Sequence, residues 1–178
     1  LWLMMQFAPD SANYNIINSF SLVGNLDVAR LKQSICTLVE RHEALRTSFQ
    51  TIHGKPVQVV HNSVKFEVVE GEYEQVLDDI NQAFDLRQAP LIRCYLYPVG
   101  KGSFNLTIVM HHLISDGWSL GVMAHELSNL YNDSANEREH TSHYSDYVLW
   151  LSAAEQQESF KQNLQFFESY LDGYATLD

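Results

Sequence analysis

The chain has 178 residues, 46% hydrophobic and 19% charged, enough for one domain with a real core and too apolar for a disordered chain. Asp plus Glu number 22 against 11 Lys plus Arg, a formal net charge of −11 with no basic stripe, which argues against nucleic acid as a partner. No apolar run approaches the ~20 residues that a membrane-spanning helix needs. The apolar start lacks a basic flank and a cleavage pattern, so it does not read as a signal peptide. It also lacks an initiator Met and reads as cut from a longer chain. Cys36 and Cys94 are isolated and are expected to be reduced thiols in a cytoplasmic protein.

In chain order, 1–7 reads as the last turns of a helix stopped by Pro9 and Asp10. Residues 15–23 form a strand. Asp27 is an N-cap, and Val28, Leu31, Ile35, Leu38 and Val39 make one helical stripe after it. That helix runs into 41–49, which on composition is a charged helix end followed by an edge strand. Residues 49–52 and 56–61 flank a hairpin turn at His53-Gly54-Lys55. A short strand follows at 65–69. Residues 72–84 are helical, with Val76, Ile80, Ala83 and Phe84 as the stripe. Residues 93–99 form a strand, and Lys101-Gly102 turns the chain into the next.

That next strand, 104–112, organises the chain. Phe104, Leu106, Ile108 and Met110 share one face and His112 continues it; His111 falls on the other face with Asn105, Thr107 and Val109. Ser115-Asp116-Gly117 signals a turn that can also start a helix. From Trp118, Leu120, Met123, Leu127, Leu130 and Tyr131 recur at helical spacing. The amides around Gly117 and Trp118 then lie at a helix N-terminus, where negative charge is stabilised. An imidazole beside free amides has the parts of an acyl-transfer site: His112 to take a proton from an amine or hydroxyl, the amides to hold an oxyanion. Adjacent strand residues face opposite ways, so His111 and His112 do not share a metal ion. The remaining histidines, His42, His53, His61, His125, His140 and His143, read as surface, hairpin-end or helix-end residues. Residues 132–143 read as a polar loop, and a long helical pattern follows to about residue 171, with Phe160, Leu164, Phe167 and Leu171 on one face.

The run Met-His-His-Leu-Ile-Ser-Asp-Gly-Trp-Ser at 110–119 resembles the HHxxxDG signature of condensation domains of nonribosomal peptide synthetases, members of the chloramphenicol acetyltransferase-like superfamily. Residues 41–49 match the family's RHExLRTxF segment throughout. Residues 84–93 resemble FDL…PLxR, and 144–150 resemble YxDYxxW. The proline-rich stretch that the family often has near 132–143 is missing. The resemblance covers the family's amino-terminal half.

The resemblance implies an α+β fold (α/β sandwich), a mixed β-sheet with helices packed against it. Residues 1–178 would be the amino-terminal lobe, with 144–173 a helix leading out towards a second lobe. The implied reaction is amide-bond formation between a donor acyl or peptidyl thioester and an acceptor aminoacyl thioester. Both ride on phosphopantetheine arms of carrier proteins, and the lobe itself binds no cofactor or metal. The implied partners are the donor and acceptor carriers, the second lobe and a neighbouring adenylation domain, with no nucleic acid and no membrane. His112 would accept the proton or position the amine. Gly117 would allow close backbone approach, including an oxyanion contact, and His111 would be a packing and hydrogen-bonding neighbour. Asp116 would be a brace paired with Arg46. Arg41 matches the family pattern without a derivable role, and Trp118 would anchor the helix and line the channel. Two other readings stay open. One is a non-catalytic docking platform for carriers or a recruited enzyme. The other is an HxxxxD-type O-acyltransferase with His111 as base.

Overall fold

The structure, a computed structural model, describes residues 1–133, 142–154 and 158–174. These fall into two compact units, Leu1–Glu139 and His140–Asp178. Most of the expected 132–143 loop, His140 included, lies outside the described residues.

In the first unit, helix α1 (Trp2–Phe7) precedes strand β1 (Asn15–Val23), as the sequence predicts. Helix α2 (Val28–Arg41) starts where Asp27, in extended backbone, accepts the Arg30 N–H on its carboxylate at 3.0 Å. Its stripe buries Leu31, Ile35, Leu38 and Val39. A single 3-10 turn (Glu43–Arg46) delivers the chain to β2 (Thr47–Ile52), which pairs antiparallel with β3 (Lys55–Val60). The hairpin turn is two residues, His53 and Gly54, with φ of 51° and 78°; Lys55 already belongs to the strand.

Three further strands, the short β4 (Val68–Glu70), β5 (Ile92–Gly100) and β6 (Ser103–His111), join β1 in the main sheet, in the order β1-β6-β5-β4. Strand β6 is antiparallel to both neighbours, while β4 runs parallel to β5. The parallel step needs a crossover, and helix α3 (Tyr73–Ile80) supplies it. The sheet is therefore mixed, and helices α2 and α4 (Gly117–Tyr131) pack on it.

Two boundaries depart from the sequence reading. Only 68–70 of the expected 65–69 strand is paired, extended by one residue at its far end. The helix expected over 72–84 stops at Ile80, because tertiary hydrogen bonds take its last carbonyls. Asn15 Nδ2 donates to Ile80 and Gln82, and Arg93 donates to Asp79, Gln82 and Ala83. Phe84 still joins the core, with the Arg93 guanidinium 3.9 Å from its ring centre.

Between the sheet and helices α2 and α4 lies an apolar cavity of about 260 Å³, lined by Phe20, Ile35, Leu106, Leu120, Met123 and Leu127 among others. Helix α4 is correspondingly thin in packing: Met123 is its one buried residue.

The second unit holds α5 (Tyr144–Ala154) and α6 (Glu158–Tyr170). Asp146 caps α5 by accepting the His143 N–H at 2.9 Å. Tyr144, Tyr147 and Trp150 follow one another at 5.9 and 5.8 Å between rings, and Phe166 stacks on Tyr170 at 5.8 Å. The predicted stripe of Phe160, Leu164, Phe167 and Leu171 is present but exposed.

Truncating a strand residue that the cavity does not touch tests this core. Leu96→Ala on β5, where Leu96 is 1% exposed, is expected to cost about 2–5 kcal/mol in urea unfolding at unchanged m-value.

Candidate active site

Strand β6 has a paired strand on each side and is buried on both faces from Leu106 to His111. The expected division into a buried and a polar face does not hold. Thr107 and Val109 are as buried as Leu106 and Ile108, because α2 and α4 cover one face and other parts of the core the second. The strand also ends one residue early. His111 is its last residue and is 0% exposed; His112 has left the strand and is exposed. This corrects the expectation that His112 ends a buried face.

The turn is held by named bonds. The His111 N–H donates to Leu91 and the His112 N–H to Tyr14, at 3.0 and 2.9 Å. The Ile114 N–H closes the turn on the His111 carbonyl at 3.0 Å. His112 Nδ1 lies 2.8 Å from the Ser115 carbonyl oxygen. A carbonyl only accepts, so Nδ1 carries the proton. In the neutral ring Nε2 then holds the lone pair, on an exposed side chain. That is the protonation pattern a general base requires.

His111 is set the opposite way. Its Nδ1 accepts the Leu113 N–H at 3.1 Å, so its proton sits on Nε2. Its ring packs against Tyr14 and Phe84, with centroids at 6.4 and 6.3 Å. Burial, with His112 beside it, pushes its pKa down to about 4. His111 Nε2 has no partner among the described residues, nor has Oδ1 of Asn15, which stands opposite it in the β1–β6 register. A buried ring whose free lone pair is already used cannot collect a proton from a substrate. The HxxxxD reading with His111 as base therefore fails.

Asp116 is not paired with Arg46. It is the N-cap of α4: its Oδ1 accepts the Ser119 N–H at 2.8 Å and the Ser119 hydroxyl at 2.7 Å, and Ser119 Oγ takes the Asp116 N–H. The Ser119 hydroxyl and amide, with the Trp118 amide, hold its carboxyl below the usual range. Arg46 instead donates Nη1 to the His61 carbonyl, and its Nε has no partner among the described residues. The cap outcompetes the ion pair because Ser119 sits one turn away on the same helix. The first-turn amides of Trp118 and Ser119 are thus engaged by Asp116, which leaves Gly117 as the backbone candidate for an oxyanion contact. A Cβ on Gly117 would meet nothing within 4 Å, so the space over it is open to an approaching group. Trp118 does not anchor the helix: it is 84% exposed.

Four pairings escaped the sequence reading. Arg41 Nη1 and His42 Nε2 both donate to Glu126 Oε2 on α4, at 3.2 and 2.9 Å. His42 is thus a cross-helix partner, not merely a helix end. Ser48 Oγ lies 2.8 Å from His61 Nε2 under a fully buried serine. The Ser115 carbonyl, which sets the His112 tautomer, carries no side-chain signal at all.

The family model for the condensation domain matches residues 1–177. The chain belongs to the condensation-domain family. It is similar to tyrocidine synthase 3 of Brevibacillus parabrevis, 36% identical over 97% of this chain and 3% of that protein. It is similar to surfactin synthase subunit 2 of Bacillus subtilis (strain 168), again 36% identical, over 97% of this chain and 5% of that protein. The chain thus spans a small fraction of these relatives' length. Among solved structures, the starter condensation domain of the rhizomide synthetase RzmA superposes with a TM-score of 0.84 at 16% identity, over 98% of this chain and 46% of that chain. The fold is that of condensation domains, α+β and chloramphenicol acetyltransferase-like, as the sequence implied.

Two measurements check the site. Asp116→Ala is expected to lower the melting temperature by a few degrees through loss of the cap, while Arg46 keeps its bond to the His61 carbonyl. His111, with its pKa lowered to about 4 against an ordinary 6.5, stays neutral where the unfolded chain binds a proton. Stability therefore rises with pH between those values and is lost as pH falls from about 6.5 towards 4. Urea midpoints over that window check the slope, and His111→Phe is expected to flatten it.

Proposed function

We propose that the chain is the amino-terminal lobe, 1–178, of an acyltransferase unit that forms amide bonds in nonribosomal peptide synthesis. The single observation that supports it best is the His112 Nδ1 bond to the Ser115 carbonyl, which presents Nε2 as a lone pair on an exposed ring. The donor is an acyl or peptidyl thioester and the acceptor an aminoacyl thioester, each on the phosphopantetheine arm of a carrier protein. The acceptor nitrogen attacks the donor thioester carbon. His112 Nε2 takes the proton that nitrogen loses, so the C–N bond forms without building up an ammonium. Collapse of the tetrahedral oxyanion breaks the C–S bond, and the departing thiolate recovers the proton. Gly117, with open space above it, is the proposed backbone contact for the oxyanion. Asp116 sets the start of α4, Arg41 acts through Glu126, and Arg46 and His111 hold the frame.

The remaining partners follow from size and surface. The chain corresponds to 46% of the RzmA domain's length, which supports a second lobe as its complement. The exposed aromatic faces of α5 and α6 fit a segment, 144–173, that another part of the domain covers. Trp118, unpacked within the lobe, is proposed to line the channel between the lobes. Carrier and adenylation domains complete the proposed set. No helix among the described residues is long and apolar enough to cross a membrane. A cytoplasmic setting fits the two free thiols.

The test is condensation by a complete domain carrying this lobe, with loaded donor and acceptor carriers. His112→Ala is expected to lower turnover on the order of 10²-fold or more while carrier binding persists. Undiminished product would remove His112 from the chemistry and favour the docking-platform reading.

A further inference from the structure

Helix α4 carries the Asp116 cap and Gly117 at one end, and its apolar packing on the core is partial. Met123 is its one buried residue, Leu120, Leu127, Leu130 and Tyr131 are half-buried against the core, and a half-open apolar cavity of about 260 Å³ lies between it, the sheet and α2. A helix beside a hollow of that size has fewer apolar contacts to hold its position than a fully packed one. Polar anchors add to that partial packing. At its far end, Tyr131 takes the Asp27 N–H on its hydroxyl and Arg30 Nη1 on its carbonyl, at 2.9 and 3.1 Å. The adjoining Arg30–Asp133 ion pair is solvent-exposed and contributes little. Nearer the site, Glu126 Oε2 receives both Arg41 and His42 from the end of α2. There the three side chains are only 18–30% exposed. Charge-assisted bonds at such a position are among the stronger ones. Among the described residues, no side chain between Gly117 and His125 is hydrogen-bonded outside the helix and its cap.

From these observations we infer that Glu126 is a positioning residue: through Arg41 and His42 it fixes the seat of α4, and so the place of Gly117 and the Asp116 cap relative to His112. This also gives Arg41 a role. The catalytic part of the inference rests on the proposed function; the seating of α4 does not.

The test reads position first and turnover second. Amide hydrogen exchange is measured on the chain with Glu126→Ala. The first turn of α4 is expected to exchange at least about tenfold faster, since both bonds to Glu126 are lost, while β5 and β6 keep their protection. The exchanged pair Arg41→Glu with Glu126→Arg is expected to restore protection. If Glu126→Ala unfolds the sheet as well, Glu126→Gln, which keeps the shape and an acceptor oxygen, is read the same way. Unchanged exchange in the first turn of α4 overturns the inference. In a complete domain, Glu126→Ala is expected to lower kcat about tenfold with KM for the loaded carriers unchanged, and the exchanged pair to recover it. A change in KM alone, with kcat retained, would overturn the positioning role. If His112→Ala leaves turnover intact, the catalytic reading fails while the exchange result still decides the seating of α4.

Discussion

The site depends on one constraint: β6 is an interior strand. With β1 on one side and β5 on the other, its backbone is paired to the last residue, and helices and core cover both faces. Any side chain still on the strand near its end is therefore inside. Of two adjacent histidines, one must stay in and the other must leave. His111 stays, neutral and enclosed, and its Nδ1 serves the turn by accepting from Leu113. His112 emerges in the first position where a ring can meet solvent, and the turn that lets it out supplies the Ser115 carbonyl that sets its tautomer. The chemistry follows from where the strand stops more than from which face a residue belongs to.

The helix start adds a second layer. Asp116, Gly117 and Ser119 form a self-contained cap, so α4 begins at a defined residue without help from the rest of the lobe. What the cap does not define is where the helix lies. That depends on contacts with α2, and these are polar at two points around an apolar hollow. The segment carrying Arg41, His42 and Arg46 is thus tied to the site indirectly, by holding the elements that frame it.

Much of this was legible in the sequence. Period-two and helical patterns located β1, α2, β5, β6 and α4 nearly to the residue, and the Asp27 cap was recognisable from its place before an apolar stripe. The two histidines' separation followed from alternation, and the mixed sheet from the family resemblance. Which histidine faces out did not, because alternation presumes one buried face, and β6 has two. The end of α3 was overrun because its carbonyls are taken by Asn15 and Arg93, side chains far away in sequence or on another strand. The Arg46–Asp116 pair was what the family resemblance implied. A nearer partner, Ser119, satisfied the carboxylate first. Glu126 gave no signal, since one acid on a polar helix face is ordinary; only the arrival of two donors on one oxygen distinguishes it.

The hollow beneath α4 has a consequence for how the lobe responds to compression. Unfilled space is eliminated when structure gives way, so hydrostatic pressure favours whichever local opening removes the most of it. One such space, half-open and about 260 Å³, lies between α2, α4 and the sheet, while the strands are paired and buried. Pressure therefore acts on this helix pair, and so on the element that carries the Asp116 cap.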